Sequence, residues 1–231
     1  WYDSTNKDFK YLYPNVTAAG SWRTGNNMNT ARFKLGGSGI QTAALAFGGY
    51  VTTYQAVTES YDGTSWTEVN DLNTARLGMA SAGTQTSALA ATGDPGTVVE
   101  LWNGTNWTET TDVNAAREQI AGVGVDNTAA LIFGGFSPSV PGPTGATESW
   151  DGSSWTEVND MNSARIKVAS SGSTPSALAF GGQNPPSFPT MANTESWNGT
   201  SWTDVADLNT ARTALGGTGT DNTSALGYGG Y

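Results

Sequence analysis

Short apolar runs and polar turns alternate along this chain with a spacing that recurs. In the stretch 147–165, TESWDGSSWTEVNDMNSAR, an extended segment puts Glu148 and Trp150 on one side and Thr147 and Ser149 on the other. Asp151-Gly152 supplies the positive-φ residues of a tight hairpin, and a second strand runs over 155–158. After the closing arginine come a strand of small residues and then an apolar strand ending at paired glycines. The small-residue strands are predicted at 77–83, 118–124, 166–172 and 213–219, and the apolar ones at 88–92, 129–133, 177–180 and 225–228. Each unit thus reads as four strands: a (small), b (apolar), c (Thr-Glu-Ser-aromatic) and d (led by Trp). The b–c connections vary in length (50–56, 94–98, 136–146, 183–193), and two of them are proline-rich. Variation confined to one connection marks a face free to diversify.

The same stretch returns as TESYDGTSWTEVNDLNTAR (58–76), ELWNGTNWTETTDVNAAR (100–117) and TESWNGTSWTDVADLNTAR (194–212), with a worn copy, GSWRTGNNMNTAR, at 20–32. Its arginines, Arg32, Arg76, Arg117, Arg165 and Arg212, are 44, 41, 48 and 47 residues apart. A period of about 40–50 residues built of short strands is that of a propeller blade. The expected fold is all-β: a five-bladed β-propeller of four-stranded antiparallel blades. Five strand-d tryptophans agree with the count: Trp22, Trp66, Trp107, Trp155 and Trp202. With their strand-c partners these rings are expected between neighbouring blades, each burying about 150–250 Å². The last unit stops after strand b, whereas the N-terminus carries a strand d around Trp22 with no a or b before it. N-terminal strands are therefore expected to join the C-terminal blade and close the ring, which removes its edges. Residues 1–19 form the junction segment, and 20–231 the propeller.

Composition narrows the chemistry. The chain of 231 residues has no Cys and no His, so disulfides, thiolate metal sites and the usual imidazole base are excluded. Its net charge of −10 repels phosphate backbones, which argues against nucleic acid as a partner. No apolar run approaches the ~18 residues of a membrane span, so no membrane insertion is expected. No cofactor is expected either. The chain begins at Trp1 rather than Met, and is expected to belong to a longer product.

The order apolar strand, Gly-Gly, variable loop, aromatic-Asp-Gly, Trp, then Met/Leu-Asn-x-Ala-Arg resembles the kelch repeat, over about residues 20–231. It departs from that pattern where Thr92-Gly93 replaces the double glycine, and in having five units, fewer than kelch proteins usually have. The Asn/Thr/Gly-rich form of the repeat is similar to those of structural proteins of marine bacteriophages. The leading WYDSTNKDFKYLY resembles a short hairpin of phage fibre and virion proteins, often found at a stem or module junction. Together these resemblances imply a component of a virion surface.

The arginine set admits two readings. One is an anion-binding ring at a channel mouth. The other, favoured because equivalent residues in every blade usually serve the blade, pairs each arginine with a repeat carboxylate: Glu59, Glu100, Glu148 and Glu195, or the set Asp71, Asp112, Asp160 and Asp207. Two residues beyond each arginine stand Lys34, Gly78, Gln119, Lys167 and Ala214, which differ between units. Of these, Lys34, Gln119 and Lys167 are candidates for a pocket, with small residues (Gly36, Ala80, Ala121, Ala169, Gly216) deeper along the axis. In the b–c loops, Tyr50, Tyr54, Phe136 and Phe188 are candidate partner contacts. Asp126-Asn127 and Asp221-Asn222 read as turns rather than as calcium ligands, since calcium takes six to eight oxygens. Propeller glycosidases need converging acids, and strands a offer only Glu118, so no enzymatic activity is expected.

The expected function is a non-enzymatic virion surface module, on a tail fibre or as capsid decoration. Its loops would meet other virion proteins, or a host surface glycan or receptor, outside the cell. The alternative is a secreted glycan-binding or glycan-processing propeller with its pocket at the channel mouth.

Overall fold

The computed structural model describes residues 2–3, 8–9 and 25–231 except Val140, Pro186 and Phe188. The described residues form strands, turns and loops, and none is helical. Strands β1 (Tyr2–Asp3) and β2 (Asp8–Phe9) pair as an antiparallel hairpin within the leading segment. Four four-stranded antiparallel sheets follow. The first holds β3 (Gly36–Ile40), β4 (Ala43–Phe47), β5 (Thr58–Tyr61) and β6 (Trp66–Val69) in that order. The second holds β7 (Ala80–Gly83), β8 (Ala88–Ala91), β9 (Val99–Trp102) and β10 (Trp107–Thr110). The third begins with β11 (Ala121–Asp126) and β12 (Ala129–Phe133). A small hairpin of β13 (Phe136–Ser137) and β14 (Gly142–Pro143) fills its b–c loop, before β15 (Thr147–Trp150) and β16 (Trp155–Val158) complete it. The fourth holds β17 (Ala169–Ser173), β18 (Ser176–Phe180), β19 (Thr194–Trp197) and β20 (Trp202–Asp204). Only two strands follow, β21 (Leu215–Asp221) and β22 (Ser224–Gly229), paired with each other.

Strands c and d form where the pattern predicts them. Trp150 lies opposite Trp155 across the hairpin, Gly152 takes φ 94°, and Asp151 Oδ1 accepts the N–H groups of Ser153 and Ser154, both at 2.8 Å. Strand a differs from expectation. It starts three residues late in the second, third and fourth units and two late in the last, at Ala80, Ala121, Ala169 and Leu215. The cause is conformational. Lys34, Gln119, Lys167 and Ala214 take left-handed φ values of 53–55°, and Gly78 takes 64°, which breaks the extended run beyond each arginine. Lys34 and its counterparts are therefore kinks before strand a, not members of it.

The first strands of successive sheets lie against one another, β3 beside β7, β7 beside β11, β11 beside β17 and β17 beside β21. Serine hydroxyls bridge them: Ser81 Oγ donates to Gly37 O at 2.9 Å, and Ser170 Oγ to Gly122 O at 3.0 Å. The core is divided among the gaps between sheets. Leu45 and Phe47 of the first sheet meet Trp102 and Trp107 of the second. Leu89 and Val99 of the second meet Trp150 and Trp155 of the third, and Leu131 and Phe133 of the third meet Trp197 and Trp202 of the fourth. The tryptophans thus pack between neighbouring sheets, as expected. Trp66 of the first sheet is only half-buried, and Trp22 lies outside the described residues. Trp107 Nε1 donates to Thr58 Oγ1 and Trp202 Nε1 to Thr147 Oγ1, each at 3.1 Å and each in the preceding sheet. At the corresponding position of the second sheet stands Val99, and the buried Trp155 Nε1 has no acceptor among the described residues.

Candidate functional site

Four of the five arginines are structural. Arg32, Arg76, Arg117 and Arg165 direct Nη2 to Glu59, Glu100, Glu148 and Glu195 at 3.1, 3.0, 2.5 and 2.7 Å, with the paired side chains essentially inaccessible. Nη1 of Arg117 and Arg165 caps the backbone before strand c, at Ala146 O and Asn193 O, both 2.6 Å away. Arg32 and Arg76 reach Val57 O and Val98 O in the same way. The glutamate also accepts backbone N–H groups of the segment entering the sheet: Asn73 and Thr74 donate to Glu100 at 2.7 and 3.2 Å. Burial pulls Arg76, Arg117 and Arg165 below the ordinary guanidinium range, and the facing carboxylates oppose that shift. The aspartate set does different work. Asp71, Asp160 and Asp207 accept the first N–H of strand c, from Thr58, Thr147 and Thr194, at 3.0, 3.2 and 3.1 Å. Losing one partner of such a buried pair costs about 3–5 kcal/mol, which ties these arginines to the fold.

The residues that differ between units gather on one face. The residue after the arginine forms an isolated bridge with the residue after the paired glycines, or after Thr92-Gly93 in the second unit: Phe33 with Tyr50, Leu77 with Asp94, Glu118 with Phe136, and Ile166 with Gln183. Thr213 and Tyr231 exchange the same two hydrogen bonds at 3.1 and 3.2 Å. Next to these bridges runs a chain of backbone bonds from unit to unit. Gly78 N–H donates to Lys34 O at 2.9 Å, Gln119 to Gly78 O at 2.8 Å and Lys167 to Gln119 O at 2.9 Å. This ladder holds the left-handed residues in place and leaves their side chains free to vary. The predicted pocket residues and the predicted loop aromatics Tyr50, Tyr54 and Phe136 therefore share one rim, whereas Phe188 lies outside the described residues.

The rim is polar as well as aromatic. Lys167 Nζ donates to Gln183 Oε1 at 3.1 Å, and Gln119 Nε2 to Glu118 Oε1 at 3.3 Å. The Phe33 and Tyr50 rings are 5.4 Å apart, and Tyr50 and Tyr54 are 6.0 Å apart, edge to face. Tyr54 Oη donates to Asp94 Oδ2 at 2.6 Å, which raises the phenol above its ordinary range. Asp94, Gln183 and Tyr231 were missed by the sequence reading. Their signal was present, since each follows the same paired-glycine position as Tyr50 and Phe136. A cavity of about 560 Å³ is lined by first strands of all five units, including Gly36, Ala121, Ala169 and Gly216. Ala80, grouped with them from sequence, is buried among the side chains between the second and third sheets. Asp126 and Asp221 act as turn caps: each Oδ1 accepts the N–H of Thr128 or Thr223 at 2.8 Å.

No family model matches the chain, and no curated protein matches it in sequence.

Proposed function

We propose that the four sheets and the two-stranded fifth are blades of a kelch-like five-bladed β-propeller, closed by N-terminal strands that join the C-terminal blade. Side-by-side first strands and a common cavity support the blade reading. Closure is supported by the strand-d segment around Trp22 that has no a or b strand before it, and by Trp66, which is only half-buried where its counterparts Trp107, Trp155 and Trp202 are buried.

The module serves recognition on a virion surface, as part of a tail fibre or as capsid decoration. It presents its rim to a host receptor, a surface glycan or another virion protein. One observation carries this reading: the buried parts of the unit repeat almost unchanged, while the rim set Tyr50, Asp94, Phe136, Gln183 and Tyr231 holds four residue types across five units. A surface held by a uniform scaffold and varied residue by residue suits binding better than chemistry. The phage-like form of the repeat and of the leading hairpin supplies the setting.

A glycan array with a hydrolysis readout tests the proposal. The expected result is binding without turnover, weakened by Tyr54→Ala. Turnover that disappears in Glu118→Gln would establish the glycan-processing alternative instead.

A further inference from the structure

Lysine is rare in this protein, and its placement is not scattered. Residues 25–231 hold two lysines, Lys34 and Lys167, and both occupy the left-handed position two residues beyond a repeat arginine. That position asks for no long side chain. Gly78 fills it in the second unit and Ala214 in the last, and a φ of 54° is a strained conformation for lysine. The backbone ladder passes through Gly78 as it does through the lysines, so the fold gives no reason for an ammonium group there.

The two ammonium groups are also left without a counter-charge. Among the described residues Lys34 Nζ makes no hydrogen bond or ion pair, and Lys167 Nζ donates to the neutral amide oxygen of Gln183 at 3.1 Å. The rim carboxylates are engaged elsewhere: Asp94 Oδ2 accepts from Tyr54 Oη at 2.6 Å, and Glu118 Oε1 from Gln119 Nε2 at 3.3 Å. The other cations of 25–231 are the five repeat arginines, four of which are held by buried glutamates. On a chain of net charge −10, free positive charge therefore collects on the rim, where it favours the approach of an anion. The ladder also limits the spacing. Hydrogen-bonded backbones lie about 4.8 Å apart, so the steps from Lys34 through Gly78 and Gln119 to Lys167 keep the two Cα atoms within about 15 Å. The next residue in each unit, Leu35, Met79, Ile120, Val168 or Leu215, lines the cavity, which puts the lysines at one end of it.

We propose that this rim binds an acidic saccharide, with Lys34 and Lys167 taking its carboxylate or sulfate groups and Tyr50 and Tyr54 its ring faces. Lysine is a point charge that suits either anion, and tyrosine presents an apolar face beside a polar tip. The backbone of the ladder and of the bridges is already bonded within the rim, so an acidic peptide finds no strand edge to extend there. This deepens the recognition reading above and rests on it.

The test titrates the full chain by calorimetry with tetragalacturonate, a sulfated galactan tetrasaccharide and neutral galactotetraose. One acidic probe should bind at least about tenfold more tightly than the neutral one, and more weakly as salt rises; the two acidic arms tell carboxylate from sulfate. Lys34→Gly and Lys167→Gln, the residues that the second and third units carry, should each weaken that binding at least about threefold without lowering the thermal midpoint. Lys34→Arg should keep it. Equal binding of neutral and acidic probes overturns the acidic ligand and leaves glycan recognition standing. Acidic binding that both lysine variants retain, a lowered midpoint in them, or hexaglutamate binding as tightly as the saccharides overturns the assigned site. If none of the three saccharides binds, the proposal fails and a protein partner remains for the rim.

Discussion

The first four sheets and the fifth are built from the same words and end differently. In strand b, Leu45 and Phe47 are 1% and 0% exposed, whereas their counterparts Leu226 and Tyr228 are 53% and 40% exposed. The residues are of the same kind and the turns are alike, so propensity does not separate them. What separates them is cover. Strands b of the first and third sheets gain a strand c on their free edge and a following tryptophan pair on their face, and β22 has neither among the described residues. In a repeat array each unit's core is completed by its neighbour, so stability belongs to junctions rather than to sheets.

That contrast can be broken at its anchor. Arg165→Met should cost about 3–5 kcal/mol, because it strands Glu195 and its backbone donors in a dry site. Arg212→Met should cost under about 1 kcal/mol, since among the described residues no carboxylate pairs with it. Paired denaturant titrations measure both, and equal costs would show that the fifth anchor is as complete as the rest. Trp155→Ala should cost about 3–5 kcal/mol by emptying the gap between the second and third sheets. A cost under about 1 kcal/mol would mean that this gap does not carry the array.

Smaller changes sharpen the comparison among the complete units. Val99→Thr should stabilise the protein by about 1 kcal/mol, giving Trp155 Nε1 the acceptor that Thr58 and Thr147 provide elsewhere. A destabilised variant would show that the apolar contact outweighs the missing bond. The smallest effect concerns acid. The Ser153 hydroxyl, with the N–H groups of Ser154 and Ser153, lowers Asp151 from 3.8 to about 2. A carboxyl lowered on folding contributes stability above its unfolded value and loses it as pH falls towards the folded one. Asp151→Asn should therefore flatten part of the acid slope between about pH 4 and about pH 2, because Asn103 and Asn198 cap equivalent turns without titrating. Denaturation midpoints compared across that window check it; an unchanged slope counts against the cap.

Much of this was legible in the chain because the repeat samples each position several times. Asp-Gly and Asn-Gly placed the c–d hairpins, and the recurring Glu and Arg suggested a pair that the structure joins. The start of strand a was not legible. A left-handed lysine or glutamine carries no local mark, and the backbone ladder between units that holds it there is a tertiary feature. The shared rim is illegible for the same reason: Lys34 and Tyr50 lie in separate segments of the sequence, and only the Phe33–Tyr50 bridge brings them together. Asp94 carries a weaker signal than Tyr50 or Phe136, because Thr92 stands where the other units have the first glycine of the pair. Thr92 reaches its left-handed φ of 52° with Oγ1 donating to Gly96 O or Arg117 O and accepting from Arg117 N.

Closure of the array is tested most directly by hydrogen exchange at Ala225–Tyr228 in the full chain and in a chain lacking residues 1–24. Both forms keep β21, so any difference reports on what lies against β22. Faster exchange is expected at 225–228 in the shortened chain, while 129–133 at the centre of the third sheet stays protected in both. Equal protection of 225–228 in the two chains would contradict closure.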